Sequence, residues 1–234
     1  MIDSSTVNAP YSIADWAKID QYHNSFLIAE DEVLDLAVKN CSDHGLPCIA
    51  VSPSQGKLLN LVAQSIGAKR ILEVGTLGGY SSIWLGRALP DDGTLVTLEI
   101  DEKHAQVAKE NLAKAGLEDK CKVIIGPASE SMENLHPDVP FDLIFIDADK
   151  ASYPKYFTEA KRLVKKGGVI LFDNVVLFCL VNDLSVTDHF LLDTYLLGIR
   201  QLLADLKADK EVEATTIATV GERGLDGFLY AVRK

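Results

Sequence analysis

At 234 residues, with 47% hydrophobic and 24% charged side chains, the chain has a globular balance and enough length for one sizeable core. A formal net charge of −11 argues against a nucleic-acid footprint, which needs clustered Lys and Arg, and no such cluster dominates the sequence. The first thirty residues carry Asp3, Asp15 and Asp20 without a basic start leading into an apolar run, and the most apolar stretch, 168–181, is cut by Asp173 and Asn174. No secretory leader and no membrane span are expected, and a cytoplasmic location follows as the expectation.

No repeat, low-complexity tract or Pro/Gly/Ser-rich linker divides the chain, which predicts a single domain over 1–234, with 1–50 as a helical cap and 51–234 as the core. In the cap, Leu27, Val33, Leu34, Ala37 and Val38 recur at near-helical spacing and predict a helix over 26–39. From residue 52, helices are predicted at 54–66, 80–89, 101–115, 129–135 and 153–164. They alternate with strands at 70–75, 94–100, 122–125, 141–147 and 168–173. Such alternation predicts a parallel sheet covered by helices on both faces. A long helix over 190–208 precedes strands 212–220 and 227–232. Their short link forces antiparallel pairing, since a parallel return needs a crossover of roughly a dozen residues or more. The expected fold is α/β and doubly wound: a mostly parallel seven-stranded sheet closed by an antiparallel hairpin. Cys41, Cys48, Cys121 and Cys179 fit neither a zinc spacing nor a disulfide framework and are expected as buried free thiols.

The run Ile71-Leu72-Glu73-Val74-Gly75-Thr76-Leu77-Gly78-Gly79-Tyr80-Ser81 reads as a buried strand entering a glycine-rich turn and then a helix. Glycines let the backbone approach a ligand and take positive φ, and ligands of open α/β sheets bind beyond the carboxyl ends of strands. The spacing departs from G-x-G-x-x-G, and Glu73 just before the first glycine would repel a pyrophosphate. A nucleoside bearing a sulfonium and a free amino group would welcome that carboxylate. Glu99 ends the next strand, 24 residues beyond Gly75, about where an acidic side chain meets ribose hydroxyls. Capping of the following helix fits Asp101 better.

The apolar run Phe141-Asp142-Leu143-Ile144-Phe145-Ile146 ends in Asp147-Ala148-Asp149-Lys150, and Gly168-Val169-Ile170-Leu171-Phe172 ends in Asp173-Asn174. Charges at the end of a buried strand are costly unless they bind something. If the two strands are parallel members of one sheet, Asp147, Asp173 and Asn174 share a rim. Three oxygen donors without histidine or thiol suit a hard cation such as Mg²⁺, with Mn²⁺ or Ca²⁺ as alternatives. Lys150 lies three residues beyond Asp147 and is the candidate base. The structural alternatives are helix or turn caps for the acids and a surface ion pair for the lysine.

With these motifs together, the chain resembles the cation-dependent O-methyltransferase family that includes caffeoyl-coenzyme A and catechol O-methyltransferases, over nearly everything from residue 49 to 234. The resemblance implies S-adenosylmethionine as methyl donor, a metal held by Asp147, Asp173 and Asn174, and Lys150 as catalytic base. It implies a donor pocket lined by Glu73, Gly75, Thr76, Ser81, Glu99, Ala128 and Asp149. Val51 also falls at a pocket position, where the family often has Thr. The segment Val175-Val176-Leu177-Phe178-Cys179-Leu180-Val181 departs from the family's usual polar or Gly-containing continuation, which bears on the acceptor. The missing N-terminal basic cluster favours a small uncharged phenol over an acyl-coenzyme A. Family members pair, so a homodimer is expected. Rival readings are a nicotinamide-dependent oxidoreductase, disfavoured by the glycine spacing, a catalytically silent binding protein, and a methyltransferase for a non-catechol natural product.

Overall fold

The computed structural model describes residues 12–176, 181 and 190–234. Among these the chain runs α1 (Ile13–Leu27), α2 (Glu32–Asp43), α3 (Pro53–Ser65), β1 (Arg70–Val74), α4 (Tyr80–Ala88), β2 (Thr94–Glu99), α5 (Glu102–Lys114) and β3 (Cys121–Ile125). It continues through α6 (Ala128–Asn134), β4 (Phe141–Ile146), a 3₁₀ turn (Lys150–Ser152), α7 (Tyr153–Leu163), β5 (Val164–Phe172), α8 (Phe190–Ala208), β6 (Val212–Gly221) and β7 (Gly224–Arg233).

The helix starts follow local chemistry. Ser12 and Asp15 close a capping box on α1, and Ser52 and Gln55 close one on α3, which has Pro53 in its first turn. Asp101 accepts the amides of Lys103 and His104 at the head of α5, as its position before the helical pattern predicts. The helix expected over 26–39 is instead two helices. Asp31 accepts the amides of Val33 and Leu34 and starts α2 afresh, while Ile28 takes an extended conformation that ends α1. The apolar spacing ran across this break because Phe26 and Leu27, at the end of α1, are 73% and 68% exposed and belong to no common core stripe. Strand β5 starts earlier than expected, at Val164, and its pairing with β4 shifts register between Phe141 and Leu143.

The sheet order is β3-β2-β1-β4-β5-β7-β6, parallel from β3 to β5 and antiparallel at β5–β7 and β6–β7. Alternate residues feed two cores. Leu72, Val74, Ile144, Ile146, Ile170 and Phe172 face Tyr156, Phe157, Leu196 and Ile199 of α7 and α8. Ile71, Leu143, Phe145, Val169 and Leu171 face Leu34, Leu59, Ile83 and Leu112 of α2, α3, α4 and α5. Burial on both faces explains why these strands read as continuous apolar runs rather than alternating ones. Their carboxyl ends are then the first places where polar chemistry can surface. Among the described residues no helix is long and apolar enough to cross a membrane.

Candidate active site

A cavity of about 1360 Å³ opens at the carboxyl ends of the parallel strands. It centres where β1 neighbours β4 rather than a strand next in sequence, the switch point at which doubly wound sheets bind ligands. The loop after β1 is tied to the sheet by Gly75, whose amide donates to Leu98 O at 2.9 Å, and by the Asp147 amide, which donates to Val74 O at 2.8 Å. Gly75 has φ +97° and lies so close to the Asp147 carbonyl that a Cβ would overlap it. From outside, Asn111 Nδ2 of α5 donates to Gly78 O at 2.9 Å, and Cys41 of α2 fills the space a side chain at Gly78 would need. Gly75→Ala is therefore expected to cost about 3 kcal/mol or more of stability, from the unfavourable φ and the overlap together. Urea unfolding checks this, and an unchanged midpoint would show that the loop does not need its glycine.

Glu99 holds the same loop. Its Oε2 accepts the amides of Thr76 (3.1 Å) and Leu77 (2.7 Å), and its Oε1 accepts the amide of Asp101 (3.0 Å). A carboxylate has roughly four acceptor sites, so three loop amides leave capacity for one further donor from the cavity that Glu99 lines.

Glu73 is placed differently from the other predicted pocket residues. It is fully buried, does not line the cavity, and occupies a core position on the α3–α5 side of the sheet. Its carboxyl group takes the hydroxyls of Ser81 (2.6 Å), Thr97 (2.7 Å) and Ser82. Burial pushes it up to about 7, against the three hydroxyl donors and with help from the Asp147 charge. Glu73 thus acts from behind by anchoring Ser81, which does line the cavity. The sequence placed it next to the glycines, but strand alternation turned its side chain into the core.

The acids after β4 and β5 lie side by side. Ile146 pairs with Phe172, and the Asp173 amide donates to Ile146 O at 3.0 Å, so Asp147 and Asp173 are the next residues of adjacent parallel strands. Their side chains leave on the same face, about 5 Å apart at the backbone. Asp173 is buried and pushed up to about 7 by burial first and by the Asp147 charge second, while Lys150 acts in the opposite sense. Lys150 Nζ donates to Asp147 Oδ1 at 2.8 Å and lies 5.5 Å from the Tyr153 ring centre. Tyr153 OH donates to the Asp173 carbonyl at 2.6 Å. Asp149 caps the 3₁₀ turn through the Ser152 amide and accepts Tyr156 OH at 2.6 Å. Val51, Gly75, Thr76, Ser81, Glu99, Ala128, Asp147, Asp149, Lys150, Asp173 and Asn174 all face this one cavity. Among the described residues no group of three His, Cys, Asp or Glu side chains is arranged around a common ion. The predicted set differs in composition, with two carboxylates and one amide. Two neighbouring carboxylates and an amide oxygen, compensated by one lysine, match the donor chemistry of a hard divalent cation.

A family model described as O-methyltransferase matches residues 24–233. The catechol O-methyltransferase of Niastella koreensis is 43% identical over 218 residues, covering 92% of this chain and 96% of its own length. The chain belongs to the O-methyltransferase family. The O-methyltransferase of Bacillus cereus, solved in complex with SAH, matches at a TM-score of 0.91 and 43% identity, covering 95% of this chain and 100% of that one. TomG from Streptomyces achromogenes, involved in tomaymycin synthesis and solved with SAM, matches at 0.90 and 42%, covering 96% and 99%. The chain is thus an S-adenosylmethionine-dependent O-methyltransferase by class, as the cofactor-loop and strand-end motifs imply.

Several residues of this O-methyltransferase that face the cavity carry no local sequence pattern: Asp20, Tyr156, Tyr195, Arg223, Asp226 and Phe228. The cap and the hairpin meet at its mouth, where Asp20 Oδ2 accepts the Glu222 amide at 3.3 Å and Arg223 Nη1 donates to Cys48 O at 3.2 Å. Cys121 is buried and Cys41 half-buried, but Cys48 is exposed, contrary to expectation, because it lies in this connecting segment. Cys179 and residues 177–180 of the apolar run fall outside the described residues. At its described ends, Val175 is 3% exposed, and Val176 and Val181 pack on the α7–α8 core rather than lining the cavity.

Proposed function

We propose that this enzyme transfers the methyl group of S-adenosylmethionine to a hydroxyl of a small, catechol-like phenol, with a divalent cation, Mg²⁺ in the first instance, held by Asp147, Asp173 and Asn174. The observation that carries the reading is the in-register ending of β4 and β5, which sets two carboxylates and an amide on one rim of the cavity that the glycine loop also lines. Relatives named catechol O-methyltransferase at 43% and 42% identity support the acceptor class.

The donor, when bound, supplies a methyl carbon whose bond to sulfur breaks as its bond to the acceptor oxygen forms. The cation, when bound, acts as a Lewis acid on a phenol whose free pKa of about 10 leaves little phenolate at neutral pH. The protein's own contribution is placement. Gly75 and Thr76 bring backbone close to the donor, Glu99 takes a ribose hydroxyl with its remaining acceptor site, and Ser81 and Asp149 line the same pocket. Lys150, after its ammonium has released one proton to solvent, receives the acceptor's proton at Nζ as a neutral amine and returns to the charged form that pairs with Asp147. Alignment of donor and acceptor accounts for much of the rate.

The cavity lining is acidic, with Asp20, Asp101, Glu222 and Asp226 added to Glu99 and the strand-end carboxylates, against Lys150, His104 and Arg223 as the basic groups among its described residues, which disfavours a polyphosphorylated acyl-coenzyme A acceptor. The test is a methyl-transfer screen of catechols, monophenols and acyl-coenzyme A phenols with labelled donor, with and without Mg²⁺. Catechol turnover that stops on chelation is expected, and turnover indifferent to chelator removes the cation. Lys150→Met is expected to lower kcat by about 10²- to 10³-fold with unchanged donor affinity by calorimetry; unchanged kcat would exclude the lysine as base. The enzyme is proposed to act as a homodimer, supported by the exposed Tyr22, Phe26 and Leu27 of α1. Sedimentation equilibrium checks this, and a mass of 25.5 kDa, that of one chain, would contradict it.

A further inference from the structure

The hairpin approaches the β5 end through two residues with no role so far. Asn174 Nδ2 donates to Asp226 Oδ2 at 2.8 Å, across 52 residues of chain. Asp226 is itself held, since its Oδ1 accepts the Gly227 amide at 2.8 Å. The Gly227 carbonyl in turn accepts the Val175 amide at 2.9 Å, which ties the hairpin to the residue that follows Asn174. There is no room for a side chain at Gly227, where a Cβ would overlap Val176 and the Ile217 carbonyl. Asn174 has φ +53°, a conformation asparagine tolerates better than most residues.

We infer that Asp226 is a positioning residue that orients Asn174 for the cation, an inference that rests on the cation reading above. An asparagine amide offers a hard cation only its oxygen, yet rotation about the Cβ–Cγ bond exchanges oxygen and nitrogen at little cost when neither has a partner. A carboxylate oxygen removes that freedom, because it accepts Nδ2–H and repels Oδ1. With the nitrogen committed to Asp226, Oδ1 turns away from the hairpin. Asp226 therefore does for an amide ligand what an outer carboxylate does for a ligating histidine, and the loss of such partners typically weakens metal binding by about 10- to 100-fold.

The experiment uses the full chain, without donor or acceptor, and titrates Mn²⁺ against the free-ion electron paramagnetic resonance signal. Asp226→Ala is expected to weaken Mn²⁺ binding by about 10- to 100-fold, with S-adenosylmethionine affinity by calorimetry within about twofold of wild type. Methyl transfer should recover as Mn²⁺ is raised. The exchanged pair supplies an independent arm if that variant folds poorly. Asn174→Asp alone sets two carboxylates face to face, whereas Asn174→Asp combined with Asp226→Asn restores an N–H···O bond with the donor on the other side. The double variant should bind Mn²⁺ at least about tenfold more tightly than the single one. Mn²⁺ affinity unchanged in Asp226→Ala, donor affinity falling by the same factor, or equal affinities for the single and double exchanges would overturn the inference. Wild-type protein that takes up no Mn²⁺ would remove the cation reading and this inference with it.

Discussion

Asp173→Asn is expected to lower methyl transfer by about 10³-fold, or about 4 kcal/mol of transition-state stabilisation, without weakening the metal-free fold. The two halves of this result have one cause. Asp173 sits buried beside Asp147 on the next strand, and each charge opposes the other. Lys150 is committed to Asp147 through its 2.8 Å hydrogen bond and relieves only part of that repulsion. Asparagine keeps the shape and removes one negative charge, so the melting temperature of the metal-free variant should equal or exceed that of wild type. The proposed cation, in contrast, would lose one of its two carboxylate ligands. Activity and calorimetric Mn²⁺ binding measured beside thermal unfolding check both halves. A variant that turns over at the wild-type rate would remove Asp173 from the site, and one that is active only when cold because it unfolds would make its role structural.

Glu73→Gln is expected to change how stability depends on pH. The Glu73 carboxyl, ordinarily near 4.5, is pushed up to about 7 in the folded chain, chiefly by burial. The folded state therefore holds this proton more tightly than the unfolded state. The group's stabilising contribution is complete below about pH 4.5, declines between 4.5 and 7, and is gone above that range. The shift corresponds to a change on the order of 3 kcal/mol. Glutamine cannot titrate, yet it retains a carbonyl oxygen for a hydroxyl donor. The stability of Glu73→Gln relative to wild type should thus rise by on the order of 3 kcal/mol between pH 4.5 and pH 8, measured by urea unfolding at both values. Parallel pH profiles would show that Glu73 titrates as an ordinary carboxylate. Loss of the Ser81 anchor should appear separately as a weaker donor affinity.

The main features of the fold were legible because they are written locally. Apolar runs long enough for strands, acids at their ends and glycines between strand and helix predicted seven strands, each of which overlaps an observed one. Asp101 before a helical pattern became its cap, and the long helix at 190–208 appears over the same residues. Local reading failed where periodicity crossed a boundary without changing phase. The spacing from Leu27 to Val38 continued through the break where Ile28 turns extended and ends one helix and the Asp31 side chain starts the next. It also failed at Glu73, where adjacency to Gly75 suggested the pocket and the two-residue alternation of β1 sent the side chain the other way.

The sequence by itself determined which residues form strands and which of them end in oxygen donors, since side-chain periodicity and capping depend on a few neighbours in the chain. Only the tertiary structure decided which ends meet. Placing β4 between β1 and β5 brings Gly75 against Asp147, and Asp147 beside Asp173. Inserting β7 antiparallel next to β5 carries Asp226 to Asn174 across 52 residues. These meetings are set by strand order and register, which depend on burying both faces of the whole sheet at once. No window of neighbouring residues contains that condition.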